Sequence, residues 1–239
     1  MHLVLDIGNT IIKWALFQSD NIIDNDVLSK LSIEHLKSIH KKYPKIERLC
    51  FSNTRNKTKL IEQFCEESKI KCLKADYNCN LPIFLDYNTP NTLGSDRIAL
   101  CVGAHCNYSG NKLIIDLGTC ITYDLIINKK YMGGQISPGV YMRLRSLHND
   151  TANLPNLEFK IIKKSVGKTT EESILIGIYD GILNEIQGII QKYKLRYPNI
   201  KVILTGGDMD FFKKRIKNIN FINPYLLMEG LNYIIASNE

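Results

Sequence analysis

The stretch Leu3-Val4-Leu5-Asp6-Ile7-Gly8-Asn9-Thr10-Ile11-Ile12-Lys13-Trp14-Ala15-Leu16 returns without a gap as Leu113-Ile114-Ile115-Asp116-Leu117-Gly118-Thr119-Cys120-Ile121-Thr122-Tyr123-Asp124-Leu125-Ile126. Asp6 falls on Asp116, Gly8 on Gly118 and Ile11 on Ile121. Each copy reads as an apolar strand, a short polar turn and a second strand. Glycine and asparagine there suit the positive φ that tight turns need. Such a repeat calls for two similar subdomains, each presenting an acidic residue and an open backbone turn, with one ligand as their natural shared target.

At 239 residues and 44% hydrophobic content, the chain can bury a sizeable core as one large domain or two small ones, and the repeat favours two. The formal charge of +7 suits an anionic ligand. It does not point to nucleic acid, because Lys41-Lys42, Lys129-Lys130, Lys163-Lys164 and Lys213-Lys214 are isolated pairs, as expected of solvated surface lysine. The seven cysteines are odd in number and lack a C-x-x-C, which argues against both a disulfide framework and a structural zinc site. Asp6 and Lys13 interrupt the N-terminal apolar run, excluding a signal-peptide core, and no uncharged run approaches membrane-spanning length. A cytoplasmic protein with no membrane partner is the expectation.

Along the chain, a hairpin over Leu3 to Phe17 precedes a helix over Ser32 to Tyr43, with Ser32 as its N-cap. A strand over Ile46 to Asn53, a helix over Thr58 to Ser68 and a short strand over Lys71 to Ala75 follow. This alternation predicts an α/β architecture with partly parallel pairing. The polar segment Asp86 to Arg97, pinned by Pro90 and Gly94, suggests a site or a connection, and Ile98 to Cys106 resumes as a helix. A second hairpin spans Lys112 to Asn128 and runs on into the glycine-rich Tyr131 to Gly139. Thr169 and Glu172 have capping-box spacing at the head of a long helix reaching about Tyr193. The strand Lys201 to Leu204 ends in Thr205-Gly206-Gly207-Asp208. Asn223-Pro224 signals a last helix with Tyr225, Leu226, Met228, Leu231 and Ile235 on its buried face.

Two acidic turns in register are chemically suggestive, since phosphate oxygens need backbone N–H donors at close approach and Mg²⁺ needs hard carboxylate oxygens. As mere turn formers, Asp6 and Asp116 would be unremarkable singly; paired, and joined to Thr-Gly-Gly-Asp, they favour function. Gly167-Lys168-Thr169 is not a P-loop, because Ile162 stands where its first glycine belongs. Gly94-Ser95-Asp96-Arg97 sets a carboxylate beside a guanidinium, as a general base and an anion clamp would. It equally fits a helix start with Ser95 or Asp96 as cap and Arg97 exposed. Trp14 and the histidines His35, His40, His105 and His148 read as packing or surface residues.

Taken in order, Asp6-Ile7-Gly8-Asn9-Thr10 with Lys13, Gly94-Ser95-Asp96-Arg97, Asp116-Leu117-Gly118-Thr119 with Thr122, Gly133-Gly134, Pro138-Gly139 and Thr205-Gly206-Gly207-Asp208 closely resemble the type III pantothenate kinases over nearly the whole chain. The resemblance implies an actin-like, sugar-kinase-like ATPase fold: two ribonuclease H-like halves, residues 1–93 and 94–223, with the nucleotide in the cleft between them, and a C-terminal helix, 224–239, packing back on the first half. It implies phosphorylation of pantothenate by ATP, the first step of coenzyme A biosynthesis, with Mg²⁺, a monovalent cation (K⁺ or NH₄⁺) and a homodimer. By motif, Asp6, Gly8, Asn9, Thr10, Lys13, Gly118, Thr119, Gly206 and Gly207 would bind ATP and its phosphates, with Asp6 acting through Mg²⁺, directly or by way of water, and Asp116 holding the monovalent cation. Tyr87, Gly94, Ser95, Asp96, Arg97 and Thr170 would bind pantothenate, and Asp96 would accept its proton. The family's Asn-Thr pair is Thr169-Thr170 in this chain, which leaves open which threonine faces substrate. The competing expectations are a kinase of the same fold for another small hydroxylated acid or sugar, and a non-catalytic regulator keeping the fold as a binding module.

Overall fold

Strand β1 (His2–Ile7) is apolar on both faces except at Asp6, so it belongs inside a sheet covered on both sides. The computed structural model, which describes residues 1–53 and 58–239, places it third of five strands, in the order β3-β2-β1-β4-β5. Strand β2 (Ile12–Gln18) and strand β3 (Asn21–Leu28) pair antiparallel beside it, and strands β4 (Arg48–Asn53) and β5 (Lys71–Lys74) pair parallel on the other side. One face packs on helices α1 (Ile33–Lys42) and α2 (Lys59–Ser68), where Leu3, Leu5 and Trp14 meet Leu36, Ile39, Ile61 and Phe64. Ser32 caps α1 as expected, its hydroxyl accepting the His35 N–H.

Helices α3 (Ser95–Asn107) and α7 (Leu226–Ser237) pack against each other and onto β4, and α7 also meets β1. Their crossing is close: a Cβ on Gly230 would stand 1.8 Å from the Ala99 carbonyl oxygen, and one on Gly103 would stand 2.3 Å from that of Leu226. Helix α7 starts at Leu226, two residues beyond the expected Pro224, and Tyr225 is exposed rather than part of the buried face. A short strand, β6 (Phe84–Leu85), pairs with Lys130 and Tyr131 at the head of β9 (Lys130–Pro138). These parts form one compact unit, Met1–Ser109 with Lys129–Met132 and Tyr225–Glu239. A boundary at residue 94 would assign α3 to the second half, but its packing on α7 and β4 keeps it in this first unit.

The second unit comprises Gly110–Asn128 and Gly133–Pro224. Its sheet runs β11 (Phe221–Ile222), β10 (Lys201–Thr205), β7 (Lys112–Leu117), β8 (Cys120–Ile127), then β9. Strand β7 pairs antiparallel with β8 and parallel with β10. Helix α4 (Val140–Asn149), which no sequence signal announced, packs with α5 (Thr170–Arg196), and a short α6 (Met209–Phe212) follows β10. Ile174, Leu175, Ile178, Ile182, Ile186 and Ile190 of α5 join Leu113, Ile115 and Tyr123 in the core. By length and composition α5 is the one helix among the described residues that could cross a membrane, and its apolar stripe is spent on this core.

Candidate active site

The two hairpins carry Asp6 and Asp116 one residue before the end of β1 and β7, where the strand hands its last side chain to a turn. Their turns differ in size. In the first, Ile7 pairs with Ile12; in the second, Leu117 pairs with Ile121, one residue closer. The gapless sequence match therefore slips by one after the turn. Lys13 stands opposite Asp6, and its counterpart opposite Asp116 is Thr122 rather than Tyr123. Tyr123 instead matches Trp14 as the buried aromatic opposite Ile115 and Leu5. Neither turn uses positive φ at Gly8, Asn9 or Gly118, contrary to the expectation. Asn9, Thr10 and Ile11 are exposed, which leaves the first turn open to a ligand.

Around Asp6 the first unit assembles a polar cluster. Ser52, fully buried at the end of β4, donates its hydroxyl to Asp6 Oδ1 at 2.6 Å. Burial pushes the Asp6 carboxyl up to about 6; Ser52's hydrogen bond opposes this, the Asp96 charge reinforces it and Lys13 offsets part of it. The next residue, Asn53, gives its backbone N–H to Ser95 Oγ at 2.9 Å. Two adjacent residues of β4 thus tie Asp6 to the first turn of α3. Ser95 is not that helix's cap, which is Gly94, and Arg97 is buried rather than exposed.

Asp96 turns back on the helix start. Its Oδ1 accepts the Arg97 N–H at 2.9 Å and lies where a Cβ on residue 94 would stand, 2.3 Å away. Only glycine at 94 leaves that space. The Arg97 guanidinium lies over the Tyr131 ring at 5.9 Å, and the Tyr87 ring is tilted against the same ring at 5.8 Å. Tyr131 thus joins Tyr87 to Arg97, a role that nothing in its local sequence signals.

In the second unit the Asp116 carboxylate packs against Gly206. There φ is +99°, and a Cβ would stand 2.4 Å from Asp116 Oδ1 and 2.3 Å from the Leu117 carbonyl oxygen, so glycine is required on both counts. Gly207 is open, and Asp208 donates its N–H to the Leu117 carbonyl. The Gly118–Thr119 turn is backed by Gly139, whose N–H bonds to the Thr119 carbonyl at 3.1 Å. Thr170 is exposed on the first turn of α5. Thr169 is the N-cap, accepting the Glu172 N–H at 3.1 Å. The return half of the expected capping box is shifted, with Glu172 accepting from the Lys168 N–H instead.

Among the described residues no three His, Cys, Asp or Glu side chains cluster as a metal cage. The first unit does offer two carboxylates, Asp6 and Asp96, that oppose each other's charge. That suits a Mg²⁺ held by one or two carboxylates, water and phosphate oxygens. Asp116 likewise offers a single carboxylate in the neighbourhood of the Leu117 carbonyl oxygen, hard donors of the kind a monovalent cation takes.

Residues 2–192 match the family model described as type III pantothenate kinase. The chain is 43% identical over 242 residues to the type III pantothenate kinase of Christiangramia forsetii, covering all of this chain and 99% of that protein. A structure from Campylobacter jejuni, described as a Baf family transcriptional activator, superposes with a TM-score of 0.65 at 21% identity, covering 99% of this chain and 98% of that one. One from Porphyromonas gingivalis, described as an N-acetylglucosamine kinase, does so at 0.54 and 14%, covering 100% and 99%. The α/β fold is therefore that of the sugar-kinase and actin-like ATPase group.

Proposed function

The chain belongs to the type III pantothenate kinase family, and from that premise we propose that it transfers the γ-phosphoryl group of ATP to the primary hydroxyl of pantothenate, the first step of coenzyme A biosynthesis. The observation that carries the proposal is the placement of Asp96. Its carboxylate is held by the Arg97 N–H over Gly94, at a helix start that β4 ties to Asp6.

Phosphoryl transfer asks a protein mainly for position and charge neutralisation. Asp96 accepts the hydroxyl proton as that oxygen attacks the γ-phosphorus and ADP leaves. With Oδ1 engaged by the backbone, Oδ2 is the oxygen offered to the proton. Arg97, set against Tyr131, pairs with the substrate carboxylate, while Tyr87, Gly94, Ser95 and Thr170 complete its contacts. Thr170 rather than Thr169 serves here, because the Thr169 hydroxyl is taken by the cap. Lys13 and the backbone amides of Gly8, Asn9, Thr10, Thr119 and Gly207 stabilise the phosphate oxygens, while the Gly118 N–H closes its own turn on the Cys120 carbonyl and leaves Gly118 to give the phosphates room. Gly206 shapes the backbone that seats Asp116. Bound at Asp6, directly or through water, Mg²⁺ would supply charge neutralisation of the β- and γ-phosphates. Asp116 is the seat for K⁺ or NH₄⁺. A cytoplasmic homodimer is part of the same proposal.

The test is ADP release coupled to a reporter, with pantothenate or a panel of sugars as acceptor, with and without K⁺. Turnover with pantothenate alone, faster with K⁺, is expected. Turnover with a sugar, or none with pantothenate, would overturn the assignment.

A further inference from the structure

A second cluster of charged groups lies in the second unit, and no role assigned so far uses it. Glu185, in the middle of α5, receives three donors. Its Oε1 accepts the Tyr123 hydroxyl at 2.7 Å and the Ser137 hydroxyl at 2.5 Å, and its Oε2 accepts Arg143 Nη2 at 2.5 Å. Arg143, on α4, also donates from Nε to the Pro138 carbonyl at 2.8 Å, and its guanidinium lies 3.7 Å from where a Cβ on Gly181 would stand. One carboxylate therefore collects β8, the end of β9 and α4 onto α5.

The clamped segment, Ser137-Pro138, is followed at once by Gly139. A Cβ on Gly139 would lie 2.1 Å from the Gly118 carbonyl oxygen and 2.7 Å from that of Thr119, and the Gly139 N–H bonds to the latter. Tyr123 is 1% exposed and lies four residues past Thr119 on the same hairpin. Both the backing and the outgoing strand of the Gly118–Thr119 turn are thus anchored to one side chain. Glu185, Ser137 and Arg143 are half-buried around the buried Tyr123 ring. A polar network with every member satisfied is a rigid support, and one with a member missing is a source of play.

We propose that Glu185 is a positioning residue for the nucleotide, holding the Gly118–Thr119 turn where Thr119 meets the ATP phosphates. The proposal rests on the assignment of that turn to ATP. A carboxylate suits the place better than an amide. Two acceptor oxygens serve three donors including a guanidinium, whereas glutamine would turn an NH₂ toward one of them.

The experiment measures ATP and pantothenate binding and steady-state kinetics for Glu185→Gln, Tyr123→Phe and Thr119→Val, well below each variant's melting temperature. Glu185→Gln is expected to raise KM and Kd for ATP roughly tenfold, because displacing a binding group by under an ångström costs that much, with the pantothenate KM within about twofold of wild type. Tyr123→Phe, which removes one donor and keeps the ring, should move the ATP constants the same way by a smaller factor and serves if Glu185→Gln fails to fold. A lowered melting temperature with unchanged ATP constants, or equal losses for both substrates, would overturn the proposal. If Thr119→Val weakens ATP and Glu185→Gln does not, only the role of Glu185 fails. If neither changes ATP binding, the assignment of the turn to ATP fails with it.

Discussion

At Asp6 the protein keeps a carboxylate where burial and the Asp96 charge both oppose its ionisation, and the Ser52 hydroxyl and Lys13 recover only part of the loss. The raised pKa has a consequence for stability. Between about pH 4 and pH 6 the folded state binds a proton at Asp6 that the unfolded chain has begun to release, so stability falls as pH rises through that window. The penalty is fully present above about pH 6. A shift of this size corresponds to at most about 3 kcal/mol, and roughly half that given the side chain's partial exposure. Asp6→Asn should therefore raise the melting temperature of the ligand-free protein by a few degrees at pH 7.5, with the difference vanishing near pH 4, while turnover collapses. Thermal scans at the two pH values check this, and a lower melting point at pH 7.5 would refute it. Asp96→Asn should cost roughly 10²-fold or more in kcat with ATP and pantothenate binding nearly intact, the usual worth of a positioned base. Near-normal kcat would remove Asp96 from the role. Gly94→Ala should mimic that loss at little cost in stability, since the new methyl group displaces the Asp96 carboxylate, the end of a movable side chain.

Helix α3 delivers Asp96 and Arg97, and its position depends on the crossing with α7. Because a methyl group on Gly230 would run into the Ala99 carbonyl, Gly230→Ala must push the helices apart. A cost of about 2 kcal/mol is expected from overpacking of this kind, read as a lower denaturation midpoint. Ala99 lies one turn beyond Asp96, so kcat/KM should fall as well. An unchanged midpoint would show that the helices can slide. Elements of strong period or clear caps, such as β1, α1 and α5, were legible in the sequence. Strand β3 was not, because an edge strand with Ile22, Asp24 and Asp26 along one face buries too little to stand out. The β8–β9 turn escaped for a related reason. It places Asn128 and Lys129 at φ of 48° and 64°, and lysine is not a residue that advertises such a turn.

On the scale of the whole chain, the last helix completes the first unit. Val4, Ala15 and Cys50 are fully buried, and α7 packs on β1, β2 and β4. Glu239 adds an ion pair to Arg48, with His2 Nε2 3.5 Å from the same carboxylate oxygen. Ending the chain at residue 224 should therefore expose an apolar sheet face and abolish soluble, cooperatively folding protein, as judged by expression and circular dichroism. A truncated protein that melts cooperatively at the wild-type temperature would show that α7 is dispensable.

By itself the sequence determined the α/β class, the two acidic hairpins and the family, because strand patterning and short ordered motifs are local in the chain. Only the tertiary structure decided that the hairpins differ by one residue in their turns, which makes Thr122 rather than Tyr123 the partner of Asp116. It also decided that Ser52, Asn53 and Tyr131 join Asp6, Ser95 and Arg97. A serine ending an apolar strand looks like any other serine until pairing of β1 with β4 brings it opposite Asp6. Contacts between residues distant in sequence follow from strand register and helix crossing, and these are settled by packing of the whole chain rather than by any one segment.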